Sequence, residues 1–90
     1  MPGDPNSETL RHAAREVLAS RPGNALDLRG IRRRIELGKL VDFNFTDADL
    51  RGALSFLLGL EHLTSTHNSL GATEYFIATS AGILAFERGQ

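Results

Sequence analysis

The sequence predicts an α+β fold in which a three-helix core is followed by a C-terminal β-hairpin and a short last helix. Three observations predict it. Residues 10–18 and 50–58 each place apolar side chains at i, i+3, i+4, i+7 and i+8, the stripe of an amphipathic helix. A shorter helical pattern, Leu28, Ile31 and Ile35, lies between them. After Leu60 the period changes to β-branched and aromatic segments around a turn-forming stretch, which reads as a hairpin.

Residues 1–6 hold Pro2, Gly3 and Pro5 and are expected to be a disordered leader, with the domain running from 7 to 90. Asn6 or Ser7 is the expected cap of the first helix, because a short side-chain oxygen accepts from an orphan amide of the first turn. Leu10, Ala13, Ala14, Val17 and Leu18 form its buried stripe, and Arg11, Arg15 and Glu16 lie off it. Arg21, Pro22 and Gly23 stop it. Residues 24–28 suit one brief strand, and Asp27 suits the cap of a second helix that Gly38 ends. Leu40, Val41, Phe43 and Phe45 make the next connection too apolar to be a free loop, so it should pack on the core. Thr46, with Asp49 three residues on, predicts a reciprocal cap for the third helix. That helix buries Leu50, Ala53, Leu54, Leu57 and Leu58. Residues 62–66 and 73–79 form the hairpin, and Thr79 or Ser80 caps a last helix carrying Ile83, Leu84 and Phe86.

Composition narrows the class. The chain has 90 residues, 41% hydrophobic and 23% charged, as expected of one ordinary globular domain. No apolar run approaches the ~18 residues of a membrane span, and no segment reads as a signal peptide. Cysteine is absent, which excludes disulfides and thiolate metal sites and fits a cytoplasmic protein. The ten basic residues are nine arginines and Lys39, and the net charge is −1. Any binding to nucleic acid must therefore rest on where the charge sits.

Helix, short strand, helix, helix, hairpin is the order of the winged helix-turn-helix. Two segments also resemble bacterial regulators of the MarR, PadR and GntR kinds, across residues 8–86. Leu50-Arg-Gly-Ala-Leu-Ser-Phe-Leu57 resembles the V-R-x-A-L-x-x-L recognition-helix pattern of GntR-type repressors. Ala78-Thr-Ser-Ala-Gly82 is similar to the L-T-x-x-G that joins wing to last helix in the MarR and PadR groups. The resemblance implies a small DNA-binding protein that regulates transcription, with its third helix in the major groove and its second helix and wing against phosphates. The chain departs from the pattern twice. Asp47 stands where a basic residue follows the capping Ser/Thr, and Glu61 stands where a glycine precedes the first wing strand.

On the outer face of the third helix fall Ala48, Gly52, Ser55 and Gly59, with Arg51 and Phe56 at its margins. Arg51 and Ser55 are the side chains there able to read a base edge, arginine suiting guanine best. Thr46, at the helix start, joins the expected set. The second helix supplies Arg29, Arg32, Arg33, Arg34 and Lys39 against one acid, Glu36, the one cluster of cations suited to phosphates. The plainer reading of that cluster is a solvated face whose arginine stems cover the core edge. The wing has no Arg or Lys between Thr66 and Thr73, leaving His67, Asn68 and Ser69 at its tip.

No enzyme, cofactor, metal site or small-molecule substrate is expected. His62 and His67 flank one strand without a third convergent ligand, and the glycines form no phosphate loop. The alternative is a protein-pairing module that does not bind DNA. The net charge, the acidic start of the third helix, the uncharged wing and the small residues Ala48, Gly52, Ser55 and Gly59 favour it. Tyr75 and Ile77 alternate with Phe76 and Ala78, so the last strand has two apolar faces, and a homodimer would cover the second.

Overall fold

The computed structural model describes residues 5–67, 71 and 73–89. Its elements are α1 (Pro5–Ala19), β1 (Leu26–Asp27), α2 (Leu28–Gly38), α3 (Asp47–Gly59), β2 (Leu63–His67), β3 (Glu74–Ala78) and α4 (Ser80–Glu87). This is the winged helix order. The strands form one antiparallel sheet in the order β1-β3-β2. Leu26 lies opposite Phe76, and the hairpin register runs from Leu63 opposite Ala78 to His67 opposite Glu74.

The helix starts follow from local chemistry. α1 begins at Pro5, so Asn6 and Ser7 lie within the helix and do not precede it as caps. Proline suits that position because a first-turn residue has no intrahelical use for an N–H. Asp27 caps α2, its Oδ1 accepting from Gly30 N at 2.9 Å. Thr46 and Asp49 close the reciprocal cap of α3: Asp49 N donates to Thr46 Oγ1 at 3.1 Å, and Thr46 N to Asp49 Oδ2 at 2.9 Å. Thr79 caps α4 by accepting from Gly82 N.

The end of α2 differs from expectation. Gly38 is still helical, and the left-handed residue is Lys39, at φ 51°. Leu40 N donates to Ile35 O and Lys39 N to Glu36 O, the paired bonds of a Schellman ending. α3 ends the same way. Glu61, at φ 62°, donates to Leu58 O, and His62 N donates to Leu57 O. The residue that departs from the glycine pattern before the wing is thus in a backbone conformation that glycine adopts more readily.

The core is one cluster. The α1 stripe meets Ile31 and Ile35 of α2, Phe45, the α3 residues Leu50, Ala53, Leu54 and Leu57, and Leu63 and Phe76 of the sheet. Each fully buried leucine contributes about 2 kcal/mol of hydrophobic transfer energy. Leu40, Val41 and Phe43 pack against this cluster as expected, while Leu58 is only partly covered. Phe76 faces inward, and Tyr75 and Ile77 on the other face are half-buried.

α1 is surrounded by α2, α3, α4 and β3. That explains a second difference. Arg15, which lies off the apolar stripe in the sequence, is buried along with Ala19, because packing covers the flank of the helix as well as its stripe. In α4 the inward residues are Gly82 and Ala85. Ile83 and Phe86 are half-buried, and Leu84 is exposed.

Candidate nucleic-acid interface

The basic cluster of α2 divides when the chain folds. Arg32 turns toward the start of α3. Its Nη2 donates to Phe45 O at 2.8 Å, its Nη1 to Asp47 Oδ1 at 3.2 Å, and its Nε lies 3.4 Å from Glu36 Oε2. Its guanidinium also sits 4.5 Å from the centre of the Phe45 ring. Arg32 therefore fastens α2 to the connection that leads into α3, and it offsets the charge of Asp47. Arg29 and Arg33 stand one turn apart and are exposed, while Arg34 is half-buried. Lys39 is exposed beyond the helix end, beside a recess of about 200 Å³ shared with Arg32 and Glu36.

A cleft of about 420 Å³ separates α3 from the hairpin. Asp27, Leu28, Arg29, Arg51, His67, Thr73, Glu74 and Phe76 line it. Arg29 comes from the first turn of α2, Arg51 from α3 and His67 from the end of β2, so three elements bring nitrogen-bearing side chains to one place. Asp27 and Glu74 are half-buried and Arg29 and Arg51 exposed, so the cations are the outer pair. The Asp27 carboxylate is already engaged as the α2 cap.

Thr46 and Ser55 are also exposed, but neither lines this cleft. The Thr46 hydroxyl is held in the cap by the Asp49 amide. Asn68 and Ser69 of the wing tip lie outside the described residues. His67, which in the sequence belongs only to the uncharged wing, joins the arginines in this cleft. Its signal was the pairing of the hairpin, which sets it opposite Glu74 and beside the arginines.

On the other side of α3 a groove of about 400 Å³ runs against α1. Ala48, Gly52, Ala53 and Phe56 from α3 line it with Leu10 and Arg11 of α1, and Phe43 and Phe45 line it too. The Arg11 guanidinium lies 4.1 Å from the centre of the Phe56 ring. Of the small residues on the outer face of α3, Ala48 and Gly52 border this groove, while Arg51 borders the wing cleft.

Among the described residues, no group of three or more His, Cys, Asp or Glu side chains is gathered so as to hold a metal ion. Also among them, no helix is long and apolar enough to cross a membrane.

No family model matches the chain, and no curated protein matches its sequence. Solved structures do resemble it. A transcriptional regulator from Clostridium thermocellum superposes with a TM-score of 0.78 at 13% identity, over 99% of this chain and 84% of that one. ZitR from Lactococcus lactis gives 0.69 at 14% identity, over 93% of this chain and 56% of its own. The adhesin competence repressor AdcR from Streptococcus pyogenes gives 0.64 at 14% identity, over 86% and 51%. The chain thus spans about half the length of ZitR and AdcR. These likenesses establish the winged helix as its fold.

Proposed function

We propose that this chain is a small, cytoplasmic DNA-binding protein that regulates transcription and has no catalytic role. In this reading α3 enters the major groove with Arg51 and Ser55 toward base edges. Arg29, Arg33 and the wing residue His67 lie against the phosphates. The observation that carries it is the cleft beside α3, where the exposed side chains of Arg29, Arg51 and His67 arrive from three elements of a winged helix. The resemblance to a transcriptional regulator and a repressor in structure supports the same reading.

The test is binding to a nonspecific DNA duplex across a salt series. Affinity should fall linearly with salt on logarithmic axes, as counterions are released from neutralised phosphates. No binding at low salt would overturn the reading.

The protein acts as a homodimer in this proposal, which would present two α3 helices to paired half-sites. Leu37, Phe56, Leu60 and Leu84 remain at least 48% exposed and are the candidate contacts. Sedimentation of the wild type and of Leu84→Glu tests this. The groove bordered by Ala48 and Gly52 favours one rival reading, a pairing module without DNA. Under that reading Gly52→Leu should break a partner complex or dimer, and unchanged sedimentation would count against it.

A further inference from the structure

Arg15 lies away from the proposed duplex interface, and its surroundings are unusual for a cation. It is 6% exposed. Its Nη1 lies 3.2 Å from His62 Nδ1, its Nη2 lies 3.0 Å from His12 Nδ1, and its Nε has no hydrogen-bond partner. Among the described residues no carboxylate is within ion-pair distance of it.

A guanidinium has donors only, so each imidazole must offer a bare Nδ1 lone pair. For His62 to accept from Arg15, its ring must therefore be neutral, with its proton on Nε2. Protonation of a ring puts hydrogen where the lone pair was and sets a second cation against a desolvated one. The bond is lost and replaced by repulsion.

We infer that Arg15 and His62 form a pH-operated latch between α1 and the corner that joins α3 to β2, closed while His62 is neutral and open once it is protonated. His62 is the operating group for two reasons. It belongs to a different part of the fold from Arg15, whereas His12 lies three residues away on the same helix. His12 also has a counter-charge, Glu8, at 3.9 Å from its Nε2, and among the described residues His62 has none. Burial and then the charge of Arg15 both lower the His62 pKa.

The charged groups around the latch are few. Among the described residues, Glu8, Arg11 and His12 of α1 and Phe56 and Leu57 of α3 line the recess beside Arg15. α4 brings the uncharged Gly82 to the His62 carbonyl. At the corner, the neighbouring acid Glu61 is exposed. The His62 main chain is held separately, by Leu57 O and by Thr79 N. Opening the latch therefore removes the tie between the flank of α1 and the corner, while the α1 stripe stays packed in the core and the corner keeps its own fold.

The sign follows from the lowered pKa. The folded state favours neutral His62, so the contribution to stability is complete above the unfolded histidine value of about 6.5. It is lost as the pH falls from there through the lower folded value.

The test is a nuclear magnetic resonance titration of the imidazoles, with amide exchange of α1 and of residues 60–63 followed over the same pH range. In the wild type, His62 should titrate below the free histidine value, and α1 protection should drop as it does. In Arg15→Met, which removes the cation at similar volume, the His62 midpoint should move up. His62→Asn keeps an acceptor near the Nδ1 position but has no proton to gain, so α1 protection should persist in acid. A wild-type His62 that titrates at or above the free value would overturn the latch. So would loss of α1 protection in acid that is the same in His62→Asn.

Discussion

The main-chain carbonyl of His62 occupies the space that a side chain at Gly82 would need. It is held there by Thr79 N, which donates to it at 3.0 Å. The Thr79 hydroxyl donates to Glu61 O at 2.6 Å and accepts from Gly82 N at 3.1 Å. The threonine and the glycine three residues on are thus two halves of one joint. One half caps α4, and the other makes room for the corner between α3 and β2 to dock on it.

Gly82→Ala should therefore destabilise the fold strongly. The atom in the way is backbone and is itself hydrogen-bonded, so it has little freedom to move aside. A loss of about 3 kcal/mol is expected from overpacking of this kind. Gly52→Ala is the control. Nothing lies within 4 Å of a Cβ at Gly52. There the gain in helix propensity should stabilise by ~0.5–1 kcal/mol. Urea unfolding of the two variants should move in opposite directions.

The joint also shows what could be read without coordinates. The Thr79 cap was legible because capping is local: it needs a hydroxyl and an amide three residues on. The box of Thr46 and Asp49 and the α1 stripe were legible for the same reason, since each is set by neighbours in sequence. Arg15 was not. Its burial depends on α4 and the α3–β2 corner closing over the flank of α1, which the α1 sequence does not encode. Arg32 was misleading in the same way. Five cations in eleven residues look alike until the chain folds, and only then does Arg32 find Phe45 O and Asp47. Helical projection puts Arg51 on the exposed side of α3, but its meeting with Arg29 and His67 depends on the sheet.

Glu61 holds a left-handed conformation at φ 62° that costs a residue with a Cβ roughly 1–2 kcal/mol. Glu61→Gly removes that strain but adds freedom to the unfolded chain, which returns part of the gain. The net expectation is stabilisation of about 0.5 kcal/mol. A higher midpoint in urea, with an unchanged slope, is the result to look for. A lower midpoint would mean that the Glu61 side chain contributes more than its backbone costs.

The capping box sets the first turn of α3, and its two bonds satisfy two orphan amides. Thr46→Ala should cost about 1 kcal/mol. For a domain of this size that is a fall in melting temperature of roughly 4–8 °C. Asp49→Ala should cost a similar amount, and the double variant less than the sum, because each side chain needs the other to stay in place. Additive losses in calorimetry would show that the two bonds form independently.

The arginines give the sharpest separation of binding from folding. Arg29 and Arg51 are exposed beside the wing cleft, so Arg29→Ala and Arg51→Ala should leave thermal stability almost unchanged. Each should weaken binding to a nonspecific duplex, and each that contacts a phosphate should reduce the salt slope by about one. If Arg51 reads a guanine, its loss should also relax discrimination at one base position by ~1–3 kcal/mol. Arg32→Ala should do the reverse. It removes the link from α2 to Phe45 O and Asp47, so stability should fall by about 1 kcal/mol. The salt slope should stay where it was, since that guanidinium is already engaged within the chain. A salt slope that drops with Arg32 and not with Arg29 or Arg51 would move the duplex off the wing cleft and onto the far end of α2, beside Lys39.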